Sequence, residues 1–512
     1  MENISLAQKL FDIFNNGRTP NTEDLPAGKM FQILEDPFGL WCHFHAPRGE
    51  SVEEPNLYEN LRSKTDKLVR EHWIKAHCSD TVNISGNDKE KFLNTLIAME
   101  AGIDGIIGGM LWDLRRKEGV YGGVNLLLKV EGGKSIFGNY YYKIVQLKRA
   151  GEMKEHYAFQ TSLLNEILTS IQGYDAEEAL FIFKAKEQIL TCARVIERAK
   201  KAGDMYQSIR RGEFVPEAKK PPKAALAPWR VFANKYVFEK HDLVLIPHLN
   251  VTMRKILREN KMNTYEDIVA AGLPKIKELL NDPAYPENTP VLAYAHALAF
   301  VKNKPVLRAK DTFPPPEKAH NLYFDFEATE TFQEDNTSFI YLIGVWDKEK
   351  DKFIPFIAKE EKEEEIIFKQ FADYVASCGP SVALYHWTEY EVKKMRKLRN
   401  KYPKIEKELE LLISACLDLK VIVEKSFYLP APSLSLKAAA PALGFNWRQK
   451  DCGAMDSMVY FTKWLKDGDE TALKKVLMYN EDDCIAMLKV ELALRELQNS
   501  GGVLEIPEIL PQ

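Results

Sequence analysis

The chain lacks most of the features that would place a protein in a special class. Its 70 basic and 74 acidic residues nearly cancel, leaving a formal charge of -4, so it has no cationic excess with which to coat nucleic acid by bulk electrostatics. Local basic patches stay open. Apolar stretches such as Ile103–Met110 and Val382–Tyr385 fall far short of the roughly 18 residues that a spanning helix needs, so no membrane partner is expected. The opening MENISLAQKL has acidic and polar residues where a signal peptide needs a basic flank and an apolar run, and a cytoplasmic location is the expectation. The seven cysteines, at 42, 78, 192, 378, 416, 452 and 484, lack paired spacing, which suits reduced thiols and gives neither a disulfide framework nor a metal cluster. Internal repeats are also missing. What remains, 45% hydrophobic and 28% charged residues over 512 positions, reads as an ordinary soluble chain too long for one core, with two or three domains.

Residues 1–214 read as α/β. Gly122–Val130 and Tyr140–Leu147 alternate or run apolar between glycines and predict neighbouring strands, while Gln160–Gln172 and Ala176–Lys201 place apolar residues at helical spacing. The segment Val215–Ala227, VPEAKKPPKAALA, has three prolines and three lysines and predicts a linker or surface loop. From His241 to Leu280 short helices return, with Asn263 as the expected N-cap of a helix starting at Thr264. A second proline-rich break, Asp311–Pro316, separates a middle segment, 215–318, from a final domain, 319–500. That domain predicts strands at Asn321–Glu327, Phe339–Trp346, Lys352–Ile357 and Ser381–His386, with helices after the later ones. The charge run Lys359–Glu365 reads as the solvated start of a helix.

Within NLYFDFEATE, Asp325 and Glu327 sit two apart, so on a strand both project from one face as paired hard anionic ligands. By itself a D-x-E pair is as compatible with an exposed edge strand. The flanking Leu322, Tyr323, Phe324 and Phe326 point instead to a buried strand, where carboxylates are costly without a cation or donors. In LMYNEDDCIAML, Tyr479 and Asp483 stand at i and i+4 on a helix whose Leu477, Met478, Ile485 and Leu488 supply an apolar docking stripe. Asp482 competes, but Asp483 is preferred because the i+4 spacing places it under the tyrosine, and a solvated polar face is the alternative for the whole helix. In LYHWTEYEVKKM a strand end passes into a helix with Glu391 in its first turn, where a carboxylate also complements the helix dipole. His386 reads as a strand-end histidine satisfied locally. Lys393, Lys394, Arg396, Lys397, Arg399 and Lys401 follow, either to hold phosphates or as a solvated face.

D-x-E on a first strand, an acidic residue on a middle helix and Y-x-x-x-D on a late helix resemble the DEDDy exonucleases. More narrowly, YFDFE, YHWTEYE, FYLPAPSLSLKAAAPALGFNW and YNEDDC resemble the RNase H-like domain fused to RecB-like nucleases of bacteria and archaea, over about 319–500. The fold this implies is a mixed sheet flanked by helices. One departure is Glu391, where the wider class carries aspartate. Phosphodiester hydrolysis must activate a water and stabilise a leaving 3′ oxygen, tasks divided between two divalent ions about 4 Å apart. Oxygen ligands suit Mg²⁺ or Mn²⁺. The resemblance implies that Asp325 bridges both ions, that Glu327, Glu391 and Asp483 complete their shells, and that Tyr479 orients the attacking water.

The first 214 residues, with EDPFGLWCHFHAP, GGVNLLLKVEGG, YYYKIVQLKRA and SIQGY, are similar to the RecB-like PD-(D/E)xK nuclease domain of the same fused proteins. Where that family carries its metal-holding acids this chain has Asn125 and Gln146, and only Lys148 of the motif remains. Amides cannot supply the anionic charge that anchors Mg²⁺. Ala224, Ala227 and Ala233 stand where relatives resembling this segment place cluster cysteines, so with Cys42 alone no iron–sulfur cluster is expected. DLVLIPHLNVTMRKIL resembles a helix-hairpin-helix, with His248 and Asn250 at the positions of its two glycines, which puts backbone phosphate contact in doubt.

The expectation is therefore a metal-dependent 3′-to-5′ exonuclease acting on DNA in preference to RNA, at single-stranded or frayed ends, with an N-terminal scaffold or DNA-holding surface. The alternatives are an inert nucleic-acid-binding adaptor that recruits a helicase or another repair factor, and an endonuclease using Gln146 and Lys148.

Overall fold

Local signals explain most element boundaries. Asn87 caps the helix Asp88–Glu100 by accepting from Lys89 N and Glu90 N, with Glu90 reaching back to the cap. Thr264 does the same for Tyr265–Leu279, accepting from Asp267 N at 3.3 Å while Asp267 accepts from Thr264 N and Asn263 N. The cap is thus one residue later than Asn263, because the Thr264 hydroxyl is the group that reaches the third helical amide.

The computed structural model describes residues 4–16, 24–51, 73–114, 119–148, 152–183, 186–218, 229–310, 312–315, 318–329, 338–449 and 452–507. Ala224, Ala227 and most of the lysine- and proline-rich 215–227 segment lie outside the described residues. The chain divides into two compact units, one of residues 1–53, 62–219 and 226–232, the other of 54–61, 220–225 and 233–512.

The first unit holds a six-stranded sheet in the order Thr81–Asn83, Gly105–Ile107, Leu126–Ser135, Gly138–Leu147, Glu178–Ile182, Glu187–Thr191. Its centre is the antiparallel hairpin Leu126–Ser135 with Gly138–Leu147, and the helix Glu155–Gln172 buries Leu163, Leu164, Ile167 and Leu168 in the core beside Ile144. Ala176–Lys201 corrects the helical reading. Glu178–Ile182 pairs parallel with Val145–Leu147 and antiparallel with Glu187–Thr191, and a helix begins only at Ile196. The apolar spacing there is ambiguous, and an open neighbouring strand edge decides it.

The second unit begins with helices, Val251–Glu259, Tyr265–Leu279 and Thr289–Lys302 among them. His248 stands at φ +69°, a left-handed conformation that favours glycine, so the turn before Val251 is built without one. Asn250 then caps that helix by accepting from Met253 N at 2.9 Å.

Beyond residue 319 lies a five-stranded sheet: β1 (His320–Ala328), β2 (Ile340–Asp347), β3 (Lys352–Ile357), β4 (Val382–His386) and β5 (Cys416–Asp418), in the order β3-β2-β1-β4-β5. The first three pair antiparallel, and β4 and β5 add in parallel. Helices α1 (Glu364–Ser377), α2 (Tyr390–Lys401), α3 (Glu406–Ala415), α4 (Leu419–Ser426), α5 (Leu436–Ala442), α6 (Ala454–Asp467) and α7 (Glu470–Asn499) flank it. Leu322, Phe324 and Phe326 point to a core with Phe368 and Phe371 of α1 and Leu409 of α3. On the other face Tyr323 and Tyr385 meet Cys484, Met487 and Leu488 of α7. Glu364, 1% exposed, ties α1 to the start of β2: it accepts from Ile340 N at 2.6 Å, Lys401 Nζ at 2.7 Å and Tyr402 Oη at 2.8 Å. Glu364→Ala is expected to cost about 3 kcal/mol by leaving these donors unmatched. A urea midpoint unchanged from wild type would refute that role.

Candidate functional site

The pleat of β1 puts Asp325 and Glu327 on the face that meets α7, beside Tyr323, because residues two apart share a face. Along α7, Tyr479 and Asp483 are separated by one turn, and both are buried against the sheet. One oxygen from each of Asp325, Glu327 and Asp483 lies within 4.8 Å of the other two. Two positions some 160 residues apart in sequence are thus joined by docking one helix onto one strand. Glu391 occupies the first turn of α2, just after β4, and is 5% exposed. It stands outside the tight trio but close enough for its charge to raise Asp325.

The carboxyls of Asp325, Glu327 and Asp483 are each held above the ordinary range. Burial raises Asp325 most, followed by the charges of Asp483, Glu327 and Glu391. Burial and then Asp483 push Glu327 up to about 8 from the usual 4.5. Asp483 is raised by burial, against the opposing pull of Lys437, Trp447 and Tyr479. Tyr479 is pushed well above the usual tyrosine range by burial and by the same three carboxylates, so its hydroxyl keeps its proton. The donors that reach the trio are neutral: Trp447 Nε1 to Asp483 at 2.7 Å, Asn480 Nδ2 to Asp325 at 2.9 Å and Tyr341 Oη to Glu327 at 3.3 Å.

The other buried carboxylates of this domain are partnered differently. Asp482 accepts from Arg448 Nε at 2.6 Å and Arg448 N at 2.8 Å, Glu364 holds Lys401, Asp347 holds His320 and Lys350, and Glu491 holds Arg495. Among the described residues the trio has no such ion pair. Lys437 acts on it through its field, with Nζ 4.4 Å from the Tyr479 ring centroid and 4.6 Å from that of Trp447. The Oε2 atom of Glu391 is buried without a hydrogen-bond partner, 3.6 Å from His386 Nδ1, which itself donates to Thr388 O at 2.5 Å. Buried anionic oxygens left without a counter-charge fit a hard divalent cation.

The arrangement separates Asp483 from Asp482: a single residue step turns about 100° around the helix, placing Asp482 on Arg448 and Asp483 on the strand carboxylates. Lys437, Trp447 and Asn480 were not singled out from sequence. Lys437 and Trp447 lie in the FYLPAPSLSLKAAAPALGFNW stretch, whose part in the family resemblance was the available signal. The basic residues of α2 divide. Lys393 pairs with Glu389, Lys394 lies over the Tyr390 ring, Arg399 pairs with Glu410 and Lys401 with Glu361 and Glu364, while Arg396 and Lys397 are exposed. In the first unit, Asn125 Oδ1 accepts from Leu147 N at 3.0 Å, Gln146 is 3% exposed, and Lys148 Nζ sits 5.1 Å from the Tyr157 ring centroid. Cys42 is fully buried and its thiol is pushed up to about 12, chiefly by burial. Among the described residues no helix is long and apolar enough to cross a membrane.

The folded protein holds the Glu327 proton up to about 8, whereas an ordinary glutamate releases it near 4.5, so this residue's contribution to stability falls as pH rises between those values. A bound divalent cation needs the ionised form and opposes that loss. Without metal, the melting temperature of wild type relative to Glu327→Gln is expected to fall from about pH 5 to about pH 8. Added Mn²⁺ is expected to raise it most at the higher pH. A difference that stays flat with pH would contradict the buried-charge description.

A family model described as RNase_H superfamily matches residues 322–494, the stretch from β1 to α7 that contains Asp325, Glu327, Glu391, Tyr479 and Asp483. No curated protein matches the chain. The C-terminal part of the chain is an RNase H-like domain of nuclease type, the kind that supports metal-dependent chemistry on phosphodiester bonds.

Proposed function

We propose that the chain is a metal-dependent 3′-to-5′ exonuclease of the DEDDy kind that hydrolyses DNA at single-stranded or frayed ends, with its active site in a C-terminal domain spanning 319–500. The observation that carries the reading is the meeting of Asp325, Glu327 and Asp483 without an ion pair among the described residues, beside a tyrosine that cannot ionise. Asp325, Glu327, Glu391 and Asp483 would hold the metal. Two Mg²⁺ or Mn²⁺ ions, when bound, supply an acidified water and charge stabilisation for the leaving 3′ oxygen.

The chain's own groups supply the rest. The Tyr479 hydroxyl, held protonated, can donate to and orient the attacking water. Lys437 brings positive charge to the same corner, where a phosphate must approach three carboxylates. Arg396 and Lys397, exposed on the helix that carries Glu391, suit phosphates further along the strand. The first unit is proposed as a scaffold or DNA-holding surface, since the Asn125 amide is spent on the Leu147 backbone. A helicase is the proposed protein partner.

Single strands labelled at the 3′ or 5′ end, incubated with Mn²⁺, Mg²⁺ or EDTA, test this reading. Release of the 3′ label as mononucleotide with either metal, and none with EDTA, is expected. Asp325→Ala and Asp483→Ala should each lower the rate by about 100-fold or more while leaving the circular dichroism spectrum intact. Lys148→Ala should leave the rate unchanged. Undiminished cleavage by either aspartate variant would reject the site, and loss of cleavage with Lys148→Ala would move the chemistry to the first unit.

A further inference from the structure

Asp325 is the carboxylate whose placement the proposed chemistry depends on most, and one of its two oxygens is already taken. Asn480, fully buried on α7, donates from Nδ2 to Asp325 Oδ2 at 2.9 Å and comes within 3.4 Å of the Asp325 carbonyl. Its own Oδ1 is buried without a hydrogen-bond partner. A buried amide with one end unmatched is costly, so the end that is matched has to repay the arrangement. With Asp325 ionised, the form that metal binding requires, turning the amide over would aim Oδ1 at a carboxylate oxygen.

The backbone opposite makes room for it. In the β1–β2 ladder Asp325 faces Gly344, which has an ordinary strand conformation and no need of glycine for its backbone angles. The reason for glycine is lateral space. A Cβ at 344 would lie 1.6 Å from Asn480 Oδ1 and 2.8 Å from its Cγ, and 2.8 Å from Phe353 Cε2. One helical turn on, Cys484 Sγ donates to the Gly344 carbonyl at 3.4 Å. Asn480 and Cys484 therefore straddle Gly344 and seat α7 at one height along β2.

The chemistry of the donor matters as much as its reach. A lysine or arginine at 480 would neutralise Asp325 and compete with a metal ion. An amide holds one oxygen by hydrogen bonding, adds no charge, and leaves the carboxyl's charge to be matched by a cation.

We propose that Asn480, seated in the slot that Gly344 leaves opposite Asp325, is a positioning residue that fixes the Asp325 carboxylate for divalent-metal binding. The role rests on the metal-site reading given above, and its test reads metal affinity rather than hydrolysis. Titrating full-length protein with Mn²⁺ by calorimetry, Asn480→Ala is expected to weaken binding about 10-fold or more, the usual scale for losing the partner that orients a ligand. Asn480→Ser is the second variant, polar enough for the site but too short to reach Asp325, and the same loss is expected.

Gly344→Ala should weaken Mn²⁺ binding similarly by displacing the amide. Because the closest approach, 1.6 Å, is to the Asn480 side chain, while the Phe353 ring at 2.8 Å is met in both Gly344→Ala variants, the losses in the double variant Gly344→Ala with Asn480→Ala should be clearly less than additive, an outcome that general destabilisation would not produce. Either folded Asn480 variant binding Mn²⁺ with wild-type affinity overturns the proposal, as do strictly additive losses in the double variant. Wild-type protein that binds no Mn²⁺ overturns the metal-site reading itself, and this role with it.

Discussion

Three carboxylates forced together under a helix are the constraint around which the C-terminal domain is organised. Burial raises Asp325, Glu327 and Asp483, the charge of Asp483 raises the two strand carboxyls further, and the strand and helix that carry them are pressed into contact by the aromatic and aliphatic packing of Tyr323, Tyr385, Met487 and Leu488. Hydrophobic burial along α7 offsets the cost of the charges. The cost is localised, since Asp482, Glu364, Asp347 and Glu491 are all buried with cationic partners a short distance away.

The donors around the trio follow one rule. Trp447, Asn480 and Tyr341 each give a hydrogen bond without a charge, so they orient oxygens and leave the site electronegative. Lys437 stands off, stacked between two aromatic rings, and tempers the field without closing an ion pair. Such an arrangement is poorly stabilised by protein alone and well suited to a cation, which makes the metal an element of stability as well as of chemistry.

The first unit shows the opposite economy. Its central hairpin pairs Leu126–Ser135 with Gly138–Leu147, Asn125 hydrogen-bonds the Leu147 amide and Gln146 lies buried in the sheet. Groups at these positions serve the fold. His248 makes the same point in the second unit, where a left-handed turn persists without glycine and Asn250 spends its side chain on capping the next helix.

Much of this was legible in the residues. Period-two spacing put Asp325 and Glu327 on one strand face, i+4 spacing stacked Tyr479 on Asp483, and the apolar runs marked β1 to β4 to within a residue or two, because these features depend only on local backbone geometry. Ala176–Lys201 was misread as helix because its spacing suits either element until a neighbouring strand edge is present. The i+4 spacing favours Asp483 over Asp482 but leaves Asp482 within a small rotation of the same site, and only the pairing with Arg448 turns Asp482 away. Nor could Gly344, Asn480, Lys437 or Trp447 be recognised, because their meaning lies in what stands opposite them. The sequence alone determined which residues share a face; the tertiary structure decided which faces meet, because the contacts that choose among them join residues more than a hundred positions apart.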